Sequence, residues 1–307
     1  MAYQQVPVES RSQIKRAGEV LAMGPSAVDD ATYQDAWDLA NRWRACHAYP
    51  INTFNVTLRK KLALFPGEPI SAQRLKRLPT IIDKLRRFPA MNITTMQDIA
   101  GVRAIMDSMD DVRRLADQYR DNKSLKHELV DQKDHITNPR NEDAYRSLHL
   151  MFRYHNLKAQ AYNKLRIEIQ IRTKLQHTWA TAVETMGTFL AQPLKSRRGD
   201  SAWLEFFALV STAFALRERT AVPTRFGGMT AADVADAIRQ VDRSIDAVAT
   251  MQGISRVAEV VSPSSASFYH LIVLDSSART VTVRAYERDR LDQAMEDYAQ
   301  TERMAID

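Results

Sequence analysis

The chain has 307 residues, 45 % of them hydrophobic and 26 % charged, a balance that allows one large or two ordinary cored domains and excludes a disordered chain. Forty-three Lys and Arg against 37 Asp and Glu leave a formal charge of +6, which favours anionic partners without choosing among them. A single cysteine, Cys46, excludes an internal disulfide and a Cys/His zinc site, and no apolar run approaches the ~18 residues of a membrane span. The polar N-terminus lacks a leader-like apolar core, so a cytoplasmic protein without a membrane partner is expected.

Residues 1–29 are polar and patternless and read as a loose arm with at most a short helix. Residues 30–65 read as helix, with Asp29 or Asp30 as the N-cap and an interruption at Pro50. Residues 71–88, "SAQRLKRLPTIIDKLRRF", read as a basic segment leading into a helix, and Pro79 suits the first turn. The pattern then changes: 99–107 is strand-like, 108–121 helical with an acidic start, and 124–134 a strand. A strand at 145–155, another at 164–172 and a helix over about 173–190 follow. This order predicts a mixed β-sheet flanked by helices, an α+β (α/β) core. Beyond the charged break at 193–200 the chain reads as helices over 201–220 and 229–252, a hairpin turning at Asp275-Ser276-Ser277, and a last helix over 288–304. "SAWLEFFALVSTAF" is apolar all round, which predicts burial against another element.

Three segments of this sheet carry chemistry. Asp98 starts a strand, with Gly101 just after it. In "YRSLHLMF", alternation puts Tyr145, Ser147 and His149 on one face and Leu148, Leu150 and Phe152 on the other. In "KLRIEIQIRTKLQH", Ile167, Ile169 and Ile171 alternate with Arg166, Glu168, Gln170 and Arg172. Taken singly, each is also what a half-exposed strand or a turn would show. Together they supply what phosphate chemistry needs. Two carboxylates on neighbouring strands can hold Mg²⁺, Arg and Lys can neutralise phosphate charge, and Tyr145 offers a ring for a purine. No GxxxxGK[ST] and no GxGxxG occurs, so phosphate binding would rest on side chains.

"DIAGVRAI", "KDHITNPR", "AYRSLHL" and "IEIQIRTKLQHTWA", with "RLKRLPTIIDKL" upstream, resemble the synthetase domain of RelA/SpoT-type proteins in block order and spacing. The resemblance covers roughly residues 55–190. It implies a nucleotidyltransferase-like fold and a GTP pyrophosphokinase-type transferase, in which ATP gives its β,γ-pyrophosphate to the 3′-hydroxyl of GDP or GTP to form (p)ppGpp. The same resemblance implies Asp98 and Glu168 as Mg²⁺ carboxylates and catalytic residues. It implies Arg74, Lys76, Lys84 and Arg103 as ATP-binding, and Lys133, Tyr145, His149 and Gln170 as contacts of the acceptor nucleotide. Arg172 is expected to brace its strand.

Some residues depart from the family's pattern. The usual glycine before the tyrosine is Ala144, which is costly if that position needs φ > 0. The family's Pro-Lys is Pro139-Arg140, and its Glu-His after "WA" is Glu184-Thr185. No His-Asp dipeptide, on which the hydrolase domain of long RelA/SpoT proteins depends, occurs in the chain. The expected organisation is an N-terminal arm and helices (1–54), a synthetase domain (55–192) and a helical C-terminal extension with a β-hairpin (193–307), in a small, single-activity synthetase able to form a homo-oligomer. Two further readings stay open: a relative that pyrophosphorylates the 3′-CCA end of tRNA, and an inactive homologue that only binds nucleotide.

Overall fold

The alternating stretch 164–172 becomes the middle strand of a five-stranded sheet, in a computed structural model that describes residues 3–121, 126–260, 269–275 and 280–304. The strands are β1 (Ile70–Leu75), β2 (Ala100–Met106), β3 (Glu128–Asp134), β4 (Leu148–Arg153) and β5 (Arg166–Thr173), in the order β1-β2-β5-β4-β3. Only β2 and β5 run parallel among these neighbours; the others pair antiparallel. Ile167, Ile169 and Ile171 are fully buried, opposite Phe152, Leu150 and Leu148. Directly opposed residues share a face, so this is the core face of the sheet, and Glu168 and Gln170 occupy the other.

The chain divides into two units. The first, Met1–Ile136 with Arg146–Lys174, holds this sheet with α1 (Arg11–Met23), α2 (Asp30–Cys46), α3 (Ala48–Leu62), α4 (Leu78–Arg87) and α5 (Met109–Arg120). The second, Thr137–Tyr145 with Leu175–Asp307, holds most of α6 (Lys174–Phe189). It also holds α7 (Ser201–Arg217), α8 (Ala231–Ile245), α9 (Ala247–Val260), the antiparallel pair β6 (Tyr269–Asp275) and β7 (Thr280–Tyr286), and α10 (Leu291–Met304). These limits differ from boundaries at 54 and 192: the N-terminal helices join the sheet, and residues 137–145 join the C-terminal helices.

Several expectations are corrected locally. The supposed loose arm contains α1, thirteen residues long and opened by a capping box between Ser10 and Gln13. Gly18 on this helix lies so close to Ile93 that a Cβ would stand 2.9 Å from Ile93 Cγ2. The break in 30–65 falls at His47, not Pro50, which sits in the first turn of α3 where its missing N–H costs nothing. Residues 70–75 form an edge strand that the sequence, lacking apolar alternation there, does not announce. β4 begins at Leu148, so Tyr145 and Ser147 precede it rather than sharing its alternation with His149. The helix expected over 229–252 breaks at Asp246, whose φ is 48°. The hairpin pairs Asp275 with Thr280, while Ser276 and Ser277 lie outside the described residues. α7 buries Trp203, Phe206, Phe207 and Leu209, as its all-round apolar surface requires.

Candidate active site

The polar face of the sheet carries two cross-strand rows. One reads Lys133, His149, Gln170 and Arg103 across β3, β4, β5 and β2. The next reads Met151, Glu168, Gly101 and Arg74 across β4, β5, β2 and β1. Nine of the ten predicted site residues lie in this unit. Tyr145 is in the second unit, where the Arg140 guanidinium lies 4.5 Å from its ring centroid and the Trp179 ring 6.0 Å away.

Asp98 sits two residues before β2. Lys76, just past β1, donates to its Oδ2 at 3.0 Å, and Lys84, in the last turn of α4, donates to its Oδ1 at 2.8 Å. The backbone positions Lys76 as well, its N–H donating to Ile99 O at 2.7 Å. Burial pushes the Asp98 carboxyl up, but the two ammonium groups outweigh it and bring the pKa down to about 2.

Glu168 is 7 % exposed. Its Oε1 lies 2.6 Å from His149 Nδ1, and its Oε2 accepts from Gln170 Nε2 at 2.7 Å. The amide of Gln170 is oriented in turn, its Oε1 accepting from Arg172 at 2.7 Å and from Arg103 at 3.4 Å. Burial raises the Glu168 pKa, His149 lowers it by more, Asp98 raises it and Gln170 lowers it; the net direction is down. Asp98 and Glu168 therefore feel each other's charge while both stay ionised. Arg172, 2 % exposed, steadies Gln170. The His149–Glu168 pair is the feature that sequence reasoning missed, though the parity of β4 and β5 puts both residues on one face.

No group of three or more His, Cys, Asp and Glu able to hold a metal occurs among the described residues. Two ionised, mutually repelling carboxylates nonetheless fit Mg²⁺, which is commonly held by one or two carboxylates with substrate phosphates and water completing its octahedron. Each of the four carboxylate oxygens already accepts from a protein donor, so such an ion would share or displace Lys76, Lys84, His149 or Gln170.

The five-stranded mixed sheet flanked by helices is an α+β fold similar to that of small alarmone synthetase structures. The crystal structure of small alarmone synthetase 1 from Bacillus subtilis bound to its product pppGpp matches this fold at a TM-score of 0.50 and 24 % identity, over 59 % of this chain and 94 % of that one. Residues 73–187 match the family described as "Region found in RelA / SpoT proteins". It is 36 % identical over 110 residues to GTP pyrophosphokinase YjbM of Bacillus subtilis (strain 168), covering 35 % of this chain and 51 % of the relative. It is 32 % identical over 114 residues to GTP pyrophosphokinase YwaC of the same strain, covering 35 % and 52 %. The chain spans about half the length of these curated relatives. No described helix is long and apolar enough to cross a membrane.

Proposed function

We propose that the chain is an ATP-dependent pyrophosphokinase that transfers the β,γ-pyrophosphate of ATP to the 3′-hydroxyl of GDP or GTP. The observation that carries this reading is the pair of ionised carboxylates, half-buried Asp98 and buried Glu168, with Arg74, Lys76, Lys84 and Arg103 inside the matched region.

The acceptor 3′-oxygen bonds to the β-phosphorus of ATP, the bond from that phosphorus to the oxygen bridging toward the α-phosphate breaks, and AMP leaves. Such a transfer demands positioning and charge neutralisation more than covalent help. Lys76 and Lys84 release Asp98 in part and take up the triphosphate, with Arg74 and Arg103 beside them. Glu168, held ionised by His149, accepts the proton of the attacking hydroxyl. Lys133, His149 and Gln170 form the row from which the acceptor is bound. Mg²⁺, held by Asp98 and Glu168, would supply charge neutralisation along the transferring phosphates.

The test is transfer from γ-labelled ATP and Mg²⁺ to GDP, GTP or deacylated tRNA. Label in ppGpp or pppGpp is expected. Label in tRNA alone, or in no acceptor, overturns the reading. Asp98→Asn and Glu168→Gln should each lower transfer at least about a hundred-fold, and near-normal rates in either remove that residue from the chemistry.

A further inference from the structure

The first unit holds a second concentration of positive charge that the Asp98–Glu168 cluster does not use. A cavity of about 460 Å³ opens beside the start of α1 and the 93–95 turn, lined by Arg11, Arg153, Lys164 and Arg166 against one carboxylate, Glu128. The sheet register itself sets Arg153 directly opposite Arg166 on one face, a like-charge pairing that costs stability unless something negative joins it.

Compensation is incomplete. Glu128 accepts from Arg153 Nη1 at 3.1 and 3.2 Å and so accounts for one charge. Arg166 donates to the carbonyl of Thr95 at 2.6 Å, a neutral acceptor that orients the guanidinium without cancelling it. Among the described residues Arg11 makes no ion pair and lies over the face of Trp43, at 5.4 Å from the ring centroid. Lys164 makes no side-chain hydrogen bond or ion pair among the described residues, and its backbone sits at φ 70°, a conformation rarely adopted by a residue with a Cβ. Burial and then the charges of Arg153 and Arg11 push the Arg166 pKa down, and the carboxylate of Asp131 offsets only part of this. Arg11, Lys164 and Arg166 thus leave three positive charges facing one basin.

We propose that this cavity is a binding site for the phosphate chain of a small anion, separate from the catalytic cluster. The lining contains no aromatic ring and no large aliphatic side chain, so it offers nothing for a base or an apolar body and selects by charge. Guanidiniums pair bidentately with phosphate oxygens. The volume falls within the about 300–1,000 Å³ of small-ligand sites and exceeds what one phosphate needs, which suits a chain of two or three. The site lies two residues before Glu168 on the same face of β5, about 7 Å along the strand, whereas the His149, Gln170 and Arg103 row lies on the far side of Glu168.

Calorimetric titration of the full chain with tripolyphosphate and with a nucleoside triphosphate tests this without any transfer reaction, so it stands or falls apart from the pyrophosphokinase reading. Arg11 and Lys164 are exposed, so Arg11→Glu and Lys164→Glu disturb little packing, and unchanged thermal unfolding checks that they fold. Lys164→Gln serves as a milder variant. Binding of tripolyphosphate that weakens at least ten-fold in Arg11→Glu and Lys164→Glu, and less in Lys164→Gln, but persists in Lys84→Ala is the expected result. Equal affinity for the two ligands assigns the site to the phosphate chain alone; tighter nucleoside triphosphate adds contacts outside the cavity. Affinity that follows Lys84 and ignores Arg11 and Lys164 overturns the proposal. So does dependence on Arg11 and Lys164 seen only with a single-stranded oligonucleotide.

Discussion

His149 Nδ1 stands 2.6 Å from Glu168 Oε1 as a diagonal cross-strand neighbour, and this contact keeps a nearly buried carboxylate charged. Burial alone would raise the Glu168 pKa, and Asp98 pushes the same way. His149→Gln keeps a hydrogen-bond donor but removes the charge, so the Glu168 pKa should rise. The acid limb of the pH profile of kcat/KM should then move up by about one unit or more. An unchanged acid limb in His149→Gln would sink this assignment.

Lys76 and Lys84 occupy both oxygens of Asp98. A divalent ion and these ammonium groups compete for the same carboxylate, whereas the phosphates of ATP attract all three cations. Mg²⁺ or Mn²⁺ should therefore bind weakly to the chain alone and at least about ten-fold more tightly with a non-hydrolysable ATP analogue. Lys84→Ala should split the two effects, strengthening metal binding without nucleotide and weakening nucleotide binding. Calorimetry on both proteins reads both quantities. Equal metal affinity with and without the analogue would show that the lysines do not gate the site.

His47, at the junction of α2 and α3, is buried to 1 % exposure and donates from Nδ1 to Trp43 O at 2.8 Å. Burial pushes its pKa down to about 4. An unfolded histidine titrates near 6.5, so below that pH the unfolded chain binds a proton that the folded chain refuses. The contribution is whole above about pH 6.5 and is lost as pH falls toward 4, on the order of 3 kcal/mol in all. Denaturant unfolding at pH 7.5 and 4.5 should show most of this loss in the wild type. His47→Gln, which cannot titrate, should lose less over the same interval, and an identical loss would remove His47 as its source.

The polar face of the sheet was legible because it rests on a simple period. Strict alternation over 166–172 placed the isoleucines on the core face and Glu168 and Gln170 on the other, and the register bears out that parity although Glu168 and Arg172 are themselves buried. Asp98 at the mouth of β2 was equally readable. What the sequence hid were features made by partners distant in the chain. β1 has no apolar alternation because it is an edge strand held through pairing with β2. α1 buries Ile14, Ala17, Gly18 and Leu21 at helical spacing, but two of the four are small, so its apolar stripe is faint in the sequence, and its packing depends on Gly18 approaching Ile93, 75 residues away. The basic cavity draws Arg11, Arg153, Lys164 and Arg166 from three parts of the chain. Tyr145 fell outside β4 because the turn at Ala144 ends the segment before the strand begins.

That turn carries a further prediction. Ala144 has φ 53° and is fully buried against Ala208, Leu209 and Phe226. Ser211 Oγ on α7 donates to its carbonyl at 2.6 Å, and Asn141 Oδ1 accepts from both Thr224 N and Thr224 Oγ1 at 2.8 Å. The C-terminal helices thus hold the 140–145 segment in a left-handed turn that a Cβ disfavours by roughly 1–2 kcal/mol. Ala144→Gly relieves that strain but gives up a buried methyl, about 0.8 kcal/mol, and frees the unfolded chain by about 0.4–1 kcal/mol. These nearly cancel, so stability should stay within about 1 kcal/mol of wild type. Ala144→Val adds a branched side chain to the same conformation in a filled site and should cost more than about 2 kcal/mol. Ser211→Ala removes the donor to a buried carbonyl, at about 1–3 kcal/mol. Denaturant unfolding of the three variants ranks them, and a Gly variant as damaged as the Val variant would show that the left-handed turn stores no strain.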